Sequence, residues 1–167
     1  MTESPEEYET RLASYVEGRD AVAMQREAVL ALARLMEGVD GAALSRRPCA
    51  DKWSVTEIVA HLAEDELVSS FRYRQMLEHR NPVLLGFDQD LWAALGNYAT
   101  WQPREALEMF RLLRETNLRM FDQLSPEQWD RGGEHQERGH TTVRDLCRHV
   151  AAHDINHLEQ IKALLRM

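Results

Sequence analysis

The sequence predicts an all-α protein, a four-helix bundle that forms a single domain over residues 1–167. Apolar residues recur at intervals of three and four through four long segments, which is the period of an amphipathic helix. No segment shows the alternation that is typical of a strand. Hydrophobic residues make up 44% of the chain, which is enough to fill one core.

The first helical segment runs from about Pro5 to Glu37. Ser4 and Glu7 form a capping box at its start, because a serine hydroxyl and a glutamate carboxylate can accept hydrogen bonds from the N–H groups that lack helical partners. Gly18 marks a point at which this helix bends or splits.

The second long helix has the same kind of start, at Ser54 and Glu57, and the Asn81–Pro82 pair stops it. The next twenty residues are less regular and hold one short predicted helix, from Asp88 to Leu95.

The third long helix begins at Pro103 and ends near Leu124. One further turn follows, from Ser125 to Trp129, and residues 132–139 are predicted to form a loop. The last helix opens at Thr141 or Thr142 and continues to the C-terminus.

Histidines occupy core positions of two of these helices. In the last helix a stripe with spacing of three and four residues is formed by Val143, Leu146, Val150, His153, His157, Gln160 and Leu164. His153 and His157 therefore lie one turn apart on one face. In the second helix His61 lies on the stripe of Ile58 and Asp65, so it also points inward.

Three buried imidazoles would be costly without partners, and a single divalent metal ion would satisfy all three. Three histidine ligands leave coordination positions open, which is the layout of a catalytic site rather than a structural one. The alternative is that His61, His153 and His157 are hydrogen-bonded core residues. The choice depends on whether the two helices meet at this point.

The remaining histidines are weaker candidates for metal ligands. His149 lies one turn before His153 but off the stripe, and is interpreted as a supporting or surface residue. His79, His135 and His140 lie at a helix end or in the predicted loop, where solvated roles are expected.

Composition excludes several classes of function. The formal charge is −8 and the chain has no basic stripe, which argues against nucleic-acid binding. It has no long apolar run and no apolar stretch near Met1, so neither a membrane span nor a secretory signal is expected. Cys49 and Cys147 form no motif, which fits a protein of the reducing cytoplasm.

Two motifs resemble those of the DinB/YfiT-like superfamily. WSVTEIVAHLAEDE, from Trp53 to Glu66, resembles the family's second-helix motif, and HVAAHDINHLEQI, from His149 to Ile161, resembles its last-helix motif. The resemblance implies an up-up-down-down bundle with the metal ligands His61, His153 and His157. It also implies nickel or zinc, with iron or manganese as further options, and a homodimer.

Three functions remain open at this point. Members of the family include transferases and isomerases that use bacillithiol, mycothiol or glutathione, which implies a metal-dependent transferase acting on a small thiol and an electrophile. A hydrolase would instead use a water activated by the metal, with Asp65 as a candidate base or as an orienting acceptor. A non-catalytic, metal-stabilised binding or stress-response protein is the third.

A zincin protease is not expected, although His153 to His157 resembles a zincin motif with Asp154 in place of glutamate. The chain offers no suitable third ligand downstream of that motif. Asp154 is therefore predicted to form an outward salt bridge.

Overall fold

The computed structural model describes residues 4–166. Its elements are α1 (Pro5–Tyr15), α2 (Ala21–Met36), α3 (Gly41–Ser45), α4 (Val55–Glu78), β1 (Val83–Leu84), α5 (Gln89–Leu95), a 3₁₀ turn (Tyr98–Thr100), α6 (Pro103–Phe121), α7 (Pro126–Trp129), β2 (Gly132–His135), β3 (Gly139–Thr142) and α8 (Val143–Leu164). Residues 1–3 and 167, at the ends of the predicted domain, lie outside the described residues. They include part of the N-terminal stretch for which no secretory signal is expected.

The predicted four-helix bundle is confirmed, and its four long helices are α2, α4, α6 and α8. Helix α4 packs mainly against α6 and α8, and α2 packs against the same two helices. The helices α2 and α4, which follow one another among the four long helices, therefore occupy diagonally opposite positions in the bundle and are not neighbours. Within residues 4–166, no helix has both the length and the apolar character needed to cross a membrane.

The first predicted helix is split in two, at the glycine that the sequence indicated. Helix α1 ends at Tyr15, and Gly18 adopts a left-handed φ of 66°. Asp20 then caps α2 by accepting hydrogen bonds from the N–H groups of Val22 and Ala23. As a result α1 packs separately against α8.

Capping boxes fix the starts of the two helices that carry the core histidines. At α4 the Ser54 hydroxyl accepts from the Glu57 N–H, and the Glu57 carboxylate accepts from the Ser54 N–H at 2.9 Å. Arg47 also donates to Glu57, at 2.9 Å. At α8 Thr142 and Asp145 form the equivalent box. These caps define where each helix begins, and so which residues face the core.

The loop predicted for residues 132–139 is wrong, because β2 and β3 form an antiparallel hairpin there and β1 adds a parallel strand. Strands of two to four residues are too short to show an alternating pattern, and two of the hairpin residues are adjacent glycines. One of them, Gly133, is required by close packing, because a Cβ atom there would lie 2.5 Å from the carbonyl oxygen of Pro82.

A buried ionic cluster joins four helices beside the histidines. Arg114 of α6 donates to Asp154 of α8 at 2.6 Å, to Glu66 of α4 at 2.8 Å and to the Gln25 carbonyl of α2 at 3.1 Å. Asn117 donates to the second Glu66 oxygen at 2.7 Å. The outward salt bridge predicted for Asp154 is therefore wrong: the side chain is 3% exposed and its partner is inside the bundle.

Candidate metal centre

The structure brings the three predicted ligands together. His61 of α4 lies opposite His153 and His157 of α8, and the Nε2 atoms of His61 and His157 lie 3.2 and 3.1 Å from the Nε2 atom of His153. One nitrogen from each ring can be chosen so that all three lie within 4.8 Å of one another. The helices α4 and α8 thus meet at the histidines, which is the condition for a shared metal ion.

Burial keeps these imidazoles neutral. His61 is 1% exposed, and His153 and His157 are each 8% exposed. Burial, with a smaller effect of its neighbour His157, lowers the pKa of His61 to about 3. Burial lowers the pKa of His157 to about 4 and that of His153 well below its usual value. A neutral imidazole is the form that binds a metal ion.

A divalent cation fits the three nitrogens. The Nε2 atoms of His61 and His157 both approach Nε2 of His153. A hydrogen bond between two neutral imidazoles needs a proton on one of the two nitrogens, and a single nitrogen of His153 cannot pair well with both neighbours. Hydrogen bonds among the three rings therefore leave the set poorly satisfied. Ions that bind histidine at about 2.0–2.1 Å hold neighbouring ligand atoms roughly 3.0–3.4 Å apart, which matches the two shorter separations.

Other side chains contact the rings. Gln160 Oε1 lies 2.9 Å from His157 Nδ1 and accepts a hydrogen bond from it, which leaves the Nε2 lone pair facing the other histidines. Asp65 Oδ2 lies 3.7 Å from His153 Nδ1, beyond hydrogen-bond distance. The Trp53 ring packs on His61, with ring centroids 5.2 Å apart. Gln160 was recognised in the sequence only as a polar residue on the core stripe.

The other histidines stand apart from the triad. His149 is half-buried, and its Nε2 accepts a hydrogen bond from Arg138 at 2.7 Å. His79 and His140 are exposed as expected. The solvated role expected for His135 is wrong: it is 3% exposed, because β2 packs against α4.

Two clefts flank His153. The first, called here the α4–β2 cleft, has a volume of about 270 Å³ and is lined by His61, His153, Asp65, Ser69, Arg72 and His135, among others. The second, of about 320 Å³, is lined by His153 and His157 together with Lys52, Trp53, Asn156 and Gln160. The nitrogens of the triad thus lie beside space that a small ligand can enter, which distinguishes the site from a closed structural one.

Without metal, the protein should lose stability as the pH falls from about 6.5 towards 4. In the unfolded chain a histidine takes up a proton near 6.5, whereas the folded values are lower, so acid favours the unfolded state. Five buried or half-buried histidines act in this direction: His61, His135, His149, His153 and His157. The pKa values of Asp65 and Asp154 are each raised to about 6, so these two carboxyl groups favour the folded state as the pH falls. Because only two groups act in that direction and five histidines act against it, the net effect of acid is a loss of stability.

The measurement is the urea midpoint in the presence of a chelator at pH 7.5 and pH 5.0. We expect a lower midpoint at pH 5.0. An equal or higher midpoint there would show that the histidines are not held neutral by the fold.

Comparison with other proteins supports the same kind of site. The chain is similar to two proteins of Oceanobacillus iheyensis that carry the names Putative metal-dependent hydrolase OB0782 and OB0413. It is 27% identical to the first over 115 residues and 29% identical to the second over 114, which is 68% of this chain in each case. The alignments span 66% and 65% of those relatives, slightly less than two thirds of their length.

Two solved structures share the fold. The first is YfiT from Bacillus subtilis, described as a probable metal-dependent hydrolase with an unusual four-helix bundle topology. It matches with a TM-score of 0.80 and 22% identity, over 87% of this chain and 84% of its own. The second is a mycothiol-dependent maleylpyruvate isomerase, which matches with a TM-score of 0.63 and 12% identity, over 81% of this chain and 58% of its own.

The family model decides the classification. The model of the DinB superfamily matches residues 21–161, a span that includes α2, α4 and α6, α8 up to Ile161, and all three histidines. The chain therefore belongs to the DinB superfamily.

Proposed function

We propose that this chain is a metal-dependent transferase, in which His61, His153 and His157 hold one divalent ion and a small thiol is the nucleophile. The observation that supports it most strongly is the convergence of three neutral Nε2 atoms beside two clefts. A divalent ion bound there would lower the pKa of a thiol that reaches it, and so make the thiolate available at neutral pH.

The position of Asp65 favours a thiol over water as the nucleophile. Its carboxylate lies near Nδ1 of His153, which is the ring nitrogen that does not face the triad. A carboxylate there lies on the side of His153 that faces away from the ion, so it is better placed to act on the imidazole than to take a proton from a nucleophile at the ion. A thiol whose pKa is lowered by the ion needs no such base. In the reaction the sulfur forms a bond to an electrophilic carbon, and the leaving group departs with its bonding electrons.

Hydrolysis is the second candidate, and one observation favours it. Asp65 lines the α4–β2 cleft, and burial together with the nearby Glu66 raises its pKa to about 6. A carboxylate with that pKa can accept a proton near neutral pH. The names of the two Oceanobacillus relatives agree with this alternative.

The test combines metal-loaded protein with bacillithiol, mycothiol or glutathione and an aryl halide as the electrophile. We expect turnover with one of these thiols only when metal and thiol are both present. His153→Ala should reduce turnover to the uncatalysed rate. Asp65→Asn should retain measurable thiol transfer, with a loss of about 10–100-fold, because it removes only a group that acts on the imidazole.

A parallel assay follows hydrolysis of a nitrophenyl ester without thiol. Metal-dependent ester hydrolysis that falls more than 100-fold in Asp65→Asn, with no thiol transfer, would replace the transferase by the hydrolase. Absence of both activities in protein that retains its metal would instead indicate a non-catalytic, metal-stabilised protein.

A further inference from the structure

The wall of the α4–β2 cleft contains three buried polar groups without partners. Arg72 is 5% exposed, Ser69 is 1% exposed and His135 is 3% exposed. Among residues 4–166, no hydrogen-bond partner is found for Arg72 Nε, Ser69 Oγ or His135 Nε2. Buried polar groups are nearly always hydrogen-bonded, so three unpaired groups beside one cleft point to a place where a polar ligand can bind.

All three groups can act as hydrogen-bond donors. Arginine Nε always carries a proton, and the serine hydroxyl can rotate to donate. For His135, Nδ1 accepts the Glu137 backbone N–H at 3.2 Å, so the proton of the neutral ring is on Nε2. Burial, with smaller effects of Arg72 and Arg138, lowers the pKa of His135 to about 4, which keeps that ring neutral. A ligand that pairs with all three groups must therefore be a hydrogen-bond acceptor.

The arginine is held in place before any ligand arrives. One terminal nitrogen of Arg72 donates to the carbonyl oxygen of Leu85, and the Phe87 ring lies 5.9 Å from the guanidinium carbon. These contacts fix the guanidinium against the residues that follow β1 and leave Nε unpaired. A fixed donor loses little conformational entropy when it binds a ligand.

The charges around the cleft favour an anion once the metal is bound. Arg72 and Arg138 carry two positive charges, and Asp65 and Glu137 carry up to two negative ones. A divalent ion at the triad would therefore leave the region positive.

We propose that the α4–β2 cleft is a subsite for a carboxylate group of the substrate, bound by Arg72, Ser69 and His135 while the reacting atoms lie at the metal centre. This inference rests on the proposed function and adds a substrate class to it, a small molecule that carries a carboxylate. Arg72 is a binding residue here and takes no part in holding the metal.

The probe pair is butyrate and butyramide, which have similar shape and differ in charge. Binding to the zinc-loaded protein is followed by NMR titration. We expect butyrate to bind at least about tenfold more tightly than butyramide. Arg72→Met should remove this preference with zinc content unchanged. The matched control is Arg144→Met, because Arg144 pairs with Asp130 on the surface and should leave butyrate binding unaltered.

The variants also separate the subsite from direct binding of the probe to the metal. His61→Ala, which removes a metal ligand, should weaken butyrate binding but keep the preference over butyramide. Butyrate binding that is unaffected by Arg72→Met but abolished by His61→Ala would overturn the proposal, since the ion alone would then bind the carboxylate. Tighter binding of inorganic phosphate than of butyrate would overturn the assignment to a carboxylate.

Two further outcomes are decisive. If Arg72→Met does not fold, Ser69→Ala should weaken butyrate binding about threefold or more, and an unchanged affinity would contradict the proposal. If thiol transfer is absent while butyrate binds through Arg72, the proposed function fails and the subsite is still supported.

Discussion

Arg114→Met should lower the free energy of unfolding by about 3–5 kcal/mol, the largest effect expected of any single substitution outside the histidines. Methionine has a similar length but no charge, so Glu66 and Asp154 would remain buried without their cation. The Arg114 side chain is 1% exposed, and its pKa is raised well above the usual value: burial alone would lower it, but Asp154 and Glu66 outweigh that effect.

The measurement is equilibrium urea denaturation at pH 7.5. Arg111→Met is the matched control on the same helix, because Arg111 bridges Glu108 and Glu115 at the surface, where ion pairs contribute little. Equal urea midpoints for the two variants would show that the buried cluster does not stabilise the bundle.

Metal removal should produce the second large effect. An ion that binds only the folded state, at a concentration a thousandfold above its Kd, adds about 4 kcal/mol to the stability. His157→Ala should abolish this gain, because it removes one of three ligands and leaves only one on α8. We therefore expect chelation to lower the urea midpoint of the wild type and to leave that of His157→Ala unchanged.

His149→Ala provides the control for this second prediction. His149 lies on the same helix one turn before His153 but outside the triad, and its ring nitrogen accepts from Arg138 instead. This variant should keep the chelator-sensitive part of its stability. If the wild type has the same midpoint with and without chelator, the histidines are core residues rather than ligands.

Local signals in the sequence were enough to place the candidate ligands. The capping box at Ser54 sets the start of α4, and helical spacing then puts His61 on the inner face. The same spacing puts His153 and His157 on one face of α8. What spacing cannot show is which helices are neighbours, and the bundle supplies this by packing α4 against α8.

The errors in the sequence interpretation share a physical cause. Asp154 is a charged residue, for which an exposed position is the usual outcome. It is buried because Arg114 of α6 pairs with it inside the bundle together with groups of α2 and α4, and these partners are distant in sequence. His135 was misplaced because the strand that carries it has four residues and begins with two glycines. Long-range pairing of this kind leaves no local pattern.

Metal analysis of the untagged protein tests the central claim most directly. We expect about one equivalent of a divalent metal in the wild type and in His149→Ala, and almost none in His61→Ala or His153→Ala. Metal that is absent from the wild type and does not rebind when nickel or zinc is added would contradict the account. So would metal that is retained equally by all four proteins.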